Sequence, residues 1–168
     1  MSLDPRIHFV VATAIIVKDG KSFGDAQDRF LIAKRASWEK AFPDKWTVPG
    51  GKLVSHEYQQ LPKVASYDGW YNAVDWVLRK EIREEVNLEI HRPIYVCDVI
   101  FVRPDGFPVV TLSYMAAYKS GEVALSNALT EYAWVTLEEA KKYDLIEGIW
   151  DELEMAHQRF DELKIKEV

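Results

Sequence analysis

Residues 70–86, WYNAVDWVLRKEIREEV, make two demands on one helix. With 3.6 residues per turn, Leu78, Ile82 and Val86 share one arc of its surface. Glu81, Glu84 and Glu85, spaced i, i+3 and i+4, fill the arc beside it. One side of such a helix must pack on an apolar layer while the adjacent side gathers three negative charges. Like charges at these spacings cost roughly a few tenths of a kcal/mol per pair. That is too little to exclude a solvated acidic face offset by Lys80–Glu84 and Asp75–Arg79 pairs. Oxygen-rich carboxylate sets also suit hard cations such as magnesium or manganese, so the helix taken alone leaves both readings open. Asp68 or Asn72 is placed to cap its start, and Asn87 to end it in the left-handed conformation.

The rest of the chain supplies the layer such a helix needs. Residues 8–17, HFVVATAIIV, form an apolar, β-branched run that reads as a buried strand. A polar turn segment at 19–28 leads to a second strand at 29–34, so the two form a hairpin with a long loop. Residues 37–49 are loop-like, and Pro49-Gly50-Gly51 reads as a sharp turn. Residues 93–102 and 108–118 read as paired strands around the turn Arg103–Gly106, and 131–136 as a further strand. A short helix at 137–143, capped by Thr136, and an amphipathic helix at 147–163 complete the chain. No repeat or linker interrupts it, so residues 1–168 are expected to form one domain of α/β (α+β) class.

Charge and cysteine content narrow the function. The net charge of −6 argues against a sequence-independent nucleic-acid binder, which needs a basic surface. It is no obstacle to a small anionic substrate if a metal supplies the positive charge. With Cys97 as the single cysteine, neither an internal disulfide nor a cysteine zinc cluster is available. No apolar stretch reaches the roughly 18 residues a membrane span needs, and the N-terminus lacks a signal-peptide pattern. The expectation is a cytoplasmic protein with no membrane partner.

The upstream glycines give the acidic helix its context. Gly50 and Gly51 let a backbone carbonyl approach a metal or phosphate without a side chain in the way. Gly51 is followed after five residues by Glu57, and later by Lys80, Glu81, Ile82, Arg83, Glu84, Glu85, Val86, Asn87 and Leu88. This order resembles the Nudix hydrolase signature: glycine, five residues, glutamate, seven residues, then Arg-Glu, an aliphatic, any residue, Glu-Glu, any residue, Gly and an aliphatic. The approach TVPGG, the early VATAIIV and FLIAKRA, and the late EYAWV are also similar, so the resemblance spans most of residues 9–140. Three departures stand out. Glu57 and Lys80 lie 23 positions apart where the pattern has eight, an insertion near 58–72; Lys80 replaces an arginine; Asn87 replaces a glycine. Lysine cannot make arginine's planar two-pronged contact with a carboxylate.

The resemblance implies a mixed β-sheet sandwiched between helices and a metal-dependent hydrolase. Its substrate would be a small molecule, a nucleoside diphosphate linked to another group such as a nucleotide or sugar. Glu81, Glu84 and Glu85, with the Gly50 carbonyl and Glu57, would hold Mg2+ or Mn2+, and one of these carboxylates would take a proton. Arg35, Gly51 and Lys80 would meet the substrate, with Lys34 and Lys52 as weaker cases. Glu131 is read either as an added ligand or base or as a surface glutamate. Trp38 and Phe42 are read either as stacking surfaces or as loop packing, and Trp46 and Cys97 as packing. The four histidines show no ligand spacing. Competing readings are a non-catalytic nucleotide-sensing module, an isomerase of isoprenoid diphosphates that would need a reactive cysteine, and a structural domain with an acidic helix. The aromatic-rich insertion covers either the substrate region or a second copy in a homodimer.

Overall fold

The computed structural model describes residues 4–24 and 26–166. Strand β1 (Phe9–Lys18) is its axis. Ala12, Ala14 and Ile16 point to one face and Ile15 and Val17 to the other, and all five are buried, as an unbroken apolar run requires. β2 (Arg29–Arg35), β3 (Trp46–Thr47), β4 (Gly50–Lys52), β5 (Glu89–Ile90), β6 (Ile94–Val102), β7 (Pro108–Ser120) and β8 (Leu129–Val135) complete one sheet. β1 and β7 run parallel over nine residue pairs from Phe9↔Val109 to Val17↔Ala117. The other pairings are antiparallel, so the sheet is mixed, as expected. β1 pairs with β4 through Val11–Thr13 and with β2 through Val17 and Lys18.

Each face carries a helix. α2 (Ala73–Val86) buries Leu78, Ile82 and Val86 against Ala12, Ala14, Ile16, Leu31 and Ala33. α4 (Ile149–Lys166) buries Ile149, Leu153 and Ala156 against Ile15, Phe30, Ile32 and Met115 on the opposite face. The short α1 (Ser55–Tyr58) precedes the insertion, and α3 (Leu137–Ala140) joins β8 to α4. Thr136 caps α3 reciprocally with Glu139, as a capping box. Among the described residues, no helix is long and apolar enough to cross a membrane.

α2 ends as its sequence implies. Asn87 sits at φ 58° and its N–H donates to the Arg83 carbonyl, the left-handed closure that asparagine tolerates. The loop that follows β7 satisfies the last carbonyls, with Ser126 N–H on Glu85 O at 2.9 Å and Ala124 N–H on Val86 O at 3.2 Å. The start of α2 differs from expectation. The helix begins at Ala73 rather than residue 70. Asn72 occupies the cap position at φ 59° but makes no side-chain capping bond, and Asp68 pairs instead with Lys63.

Pro49-Gly50-Gly51 is a strand entry and not a turn. Gly50 and Gly51 pair with Thr13 and Ala12 in extended backbone. Small residues are needed there because other atoms crowd both positions, and not because the chain reverses.

The insertion folds on itself. The Tyr58 and Trp70 rings meet at 5.3 Å, Trp70 Nε1 donates to the Leu61 carbonyl at 3.0 Å, and Val64 N–H closes on Gly69 O at 2.9 Å. Tyr67 and Tyr71 pair edge to face at its outer surface and remain exposed. Cys97 is half-buried rather than a core residue, because β6 lies at the sheet edge with Val99, Ile100 and Val102 exposed.

One buried polar chain crosses the α4 side of the sheet. Thr13 Oγ1 and Ser113 Oγ lie 3.0 Å apart, and the Ser113 hydroxyl reaches the Glu152 carboxylate of α4. Glu152 is only 7% exposed. Burial pushes its carboxyl up, against the opposing Ser113 hydrogen bond and with a further push from Asp151. The folded state therefore holds this proton more tightly than the unfolded chain. The corresponding stability is fully present below the unfolded carboxyl value and is lost as pH rises through the elevated folded value. Glu152→Gln should reduce the fall in urea-unfolding stability as pH rises above the ordinary carboxylate range, with the remainder carried by the raised Glu81 and Glu85 carboxyls. An unchanged decline in the variant would show that Glu152 does not carry it.

Candidate active site

The site is built where α2 crosses β4. Gly50 donates its N–H to Glu85 Oε2 at 3.0 Å, so a strand amide anchors the last of the helix carboxylates. A Cβ on Gly51 would stand 2.2 Å from the Glu81 carboxyl carbon, well inside van der Waals contact. A Cβ on Gly50 would stand 2.3 Å from the Ala12 carbonyl oxygen. Gly51 thus makes room for a glutamate and Gly50 for a backbone.

Lys80 stands among the carboxylates. Its Nζ is 3.1 Å from Glu81 Oε1, 3.1 Å from Glu84 Oε2 and 3.4 Å from Glu57 Oε2. Despite the insertion, α1 brings Glu57 beside α2. Glu57 Oε2 is buried and makes no hydrogen bond. Burial opposes the Lys80 charge, but hydrogen bonds and charge from Glu84 and Glu81 outweigh it and hold the ammonium above the usual lysine range. Burial raises the Glu81 carboxyl against the pull of Lys80. Burial pushes Glu85 up to about 7, opposed by the Gly50 N–H and Arg35 and reinforced by Glu81. Glu84 is the most exposed of the set.

The remaining residues divide by sheet face. Arg35 lies opposite Leu129 on the α2 face, and its charge is felt at Glu85. Its guanidinium is held by the Ala41 carbonyl at 2.7 Å and Glu39 Oε2 at 3.0 Å. Glu131 pairs with Lys34 at 2.8 Å, and both extend the Ile32–Ala133 row that packs towards α4. The structure therefore does not bring Glu131 together with the helix carboxylates, and it places Lys34 on the far face. Tyr132, opposite Ala33, takes the α2 face instead. Lys52 is exposed at the end of β4.

Trp46 packs against Tyr143 in the α4-side core, whereas Trp38 and Phe42 are exposed. Glu39 was not singled out by sequence, because its spacing to Arg35 carries meaning only once the 36–45 loop is folded. In that loop Phe42 and Asp44 adopt φ 50° and 62°, which is strained for a bulky phenylalanine.

The donor set fits a hard divalent ion in kind. All its groups are carboxylate oxygens, and one of them, Glu57 Oε2, is buried without a hydrogen-bond donor. Among the described residues no three His, Cys, Asp or Glu side chains already stand together as a metal cage. The Lys80 ammonium takes the central place.

Known proteins share this frame. No protein-family model matches the chain. A nucleoside triphosphatase, NudI of Klebsiella pneumoniae (strain 342), is 26% identical over 129 residues, which cover 71% of this chain and 81% of that protein. The solved structure of a MutT NUDIX hydrolase from Burkholderia pseudomallei matches with a TM-score of 0.66 at 24% identity, over 89% of this chain and 98% of that one. The NUDIX domain of Shewanella oneidensis NrtR, solved in complex with ADP ribose, matches with a TM-score of 0.70 at 16% identity over 94% of each chain.

The two glycines should fail differently. Gly51→Ala meets the flexible end of Glu81, so the variant should fold with nearly unchanged thermal stability while Glu81 is displaced and divalent-ion binding weakens. Gly50→Ala meets backbone and should lower the melting temperature itself. Calorimetry with and without Mn2+ on both variants reads the difference. Equal loss of fold in both would contradict the assignment of Gly51 to the site.

Proposed function

For this chain, which has the Nudix fold, we propose a metal-dependent hydrolase that cleaves a diphosphate bond in a nucleoside diphosphate linked to a further group. The observation that carries the reading is the convergence of Glu57, Glu81, Glu84 and Glu85 beside Gly51, with a buried Glu57 oxygen left without a donor. Magnesium or manganese held by these four would neutralise diphosphate charge and acidify a water molecule.

The chain's own groups have separate tasks. Gly50 N–H fixes the Glu85 carboxylate. In the metal-free protein burial raises the Glu85 carboxyl to about 7. A bound divalent ion would offset that burial and hold Glu85 ionised as a ligand, and a carboxylate not engaged by the metal would take the proton during attack. Arg35, held by Glu39 and the Ala41 carbonyl, brings positive charge to the α2 face and would meet a substrate phosphate. The strained 36–45 loop presents Trp38, 66% exposed, as a flat surface for a base. The insertion enters directly after α1 and leaves into α2 with Tyr67 and Tyr71 outward, and in this reading it would form a wall of the substrate region.

The named relatives support a nucleotide-type substrate: one is a nucleoside triphosphatase and another is complexed with ADP ribose. The non-catalytic sensing module is disfavoured because all three helix carboxylates are kept.

A hydrolysis screen over nucleoside triphosphates, nucleotide sugars, ADP-ribose and dinucleoside polyphosphates tests the proposal. Turnover should vanish with a chelator and return with magnesium or manganese. Glu84→Gln and Glu85→Gln should each lower kcat by about 10²-fold or more, the scale of one well-placed electrostatic group, with metal-free melting temperatures equal to or above wild type. Turnover that survives chelation, or variants that simply unfold, would overturn the reading.

A further inference from the structure

Among the described residues, Lys80 is the cation that stands in contact with the acidic cluster, and it shares itself among three partners. An ammonium carries three N–H donors on a compact head. The Lys80 head faces three carboxylates, Glu57, Glu81 and Glu84, at 3.1–3.4 Å. An arginine would commit a planar fork to one carboxylate and leave the others free. The other cations of α2 are engaged away from the cluster: Arg79 with Asp75 and the Ile90 and His91 carbonyls, Arg83 with Glu89. Arg35 is held by Glu39 and Ala41. Relief of repulsion among Glu57, Glu81 and Glu84 therefore falls to Lys80.

We propose that Lys80 is a tethered counter-ion that holds the carboxylate cluster together before a divalent ion arrives and must release Glu81 and Glu84 when one binds. The inference rests on the metal-binding reading above and deepens it. Lys80 and a metal ion draw on the same oxygens, so the lysine sets the affinity of the cluster for metal. It also keeps Glu57 in reach across the insertion, since no hydrogen-bond donor holds the buried Glu57 Oε2. Because Lys80 lies on the same helix as Glu81 and Glu84, it can leave them by a side-chain rotation without any movement of the fold.

The test is Mn2+ binding followed by electron paramagnetic resonance on metal-free wild type, Lys80→Met and Lys80→Arg. Loss of one positive charge from the cluster should tighten binding of Mn2+ to Lys80→Met by about tenfold or more at low salt. The same variant should melt at a lower temperature than wild type without metal and gain more on adding it. Lys80→Arg keeps the charge and should stay within about threefold of wild type. A second measurement needs no variant: the Lys80 ammonium protons of wild type, observed by NMR, should be protected from exchange in the metal-free protein and lose protection when Mg2+ is added. Binding to Lys80→Met that is equal to or weaker than wild type, or ammonium protection unchanged by Mg2+, overturns the proposal while leaving the metal reading intact. Absence of Mn2+ binding in wild type and variants alike overturns both.

Discussion

The close approach of a helix to a glycine strand is the constraint on which the site depends. α2 buries Leu78, Ile82 and Val86 against β1 and β2, and that packing brings its acidic arc down onto β4. With any side chain at position 51, the Glu81 carboxylate could not occupy its place. With any side chain at position 50, β4 could not lie against β1. Burial of the apolar arc, at about 25 cal/mol per Å² of surface removed from water, opposes the electrostatic cost of gathering the glutamates. Core packing and site assembly are thus one event, and the Glu85–Gly50 hydrogen bond ties them.

Much of the fold was legible because it follows local rules. The apolar run of β1, the period of α2, the left-handed stop at Asn87 and the Thr136 cap each depend on a few neighbouring residues. What sequence misread depends on tertiary contact. Gly50 and Gly51 look like a turn, since nothing local separates glycine needed for reversal from glycine needed for clearance. Glu131 looked available to the site, but the strand parity set by Lys34 and Ile32 turns it towards α4. The register shift between Lys34 and Arg35 is invisible in the residues themselves. Cys97 read as core because β6 is apolar, yet β6 is an edge strand. Of the site, the helix glutamates were plain, whereas the place of Lys80 among them became visible only once α1 had brought Glu57 alongside.

The two faces of the sheet keep their charges apart. On the α2 face, carboxylates and Lys80 sit near the surface, where solvent and ligand can reach them. On the α4 face, Glu152 is sealed behind Ser113 and Thr13. Thr13 pairs with Gly50 across the strands, so the buried chain lies directly behind the strand that anchors Glu85. A sheet of this kind holds carboxyls raised by burial on both sides, Glu81 and Glu85 beside the open cluster and Glu152 locked into packing.

The central claim is that the four glutamates form a single divalent-ion site assembled on α2 and α1. A crystal of the protein soaked in Mn2+, with diffraction recorded at the manganese absorption edge, tests it most directly. The account predicts an anomalous peak at bonding distance from oxygens of Glu81, Glu84 and Glu85 or Glu57, with the Lys80 ammonium withdrawn from Glu81 and Glu84. A peak elsewhere, or none, with Lys80 still bridging the carboxylates, would contradict it.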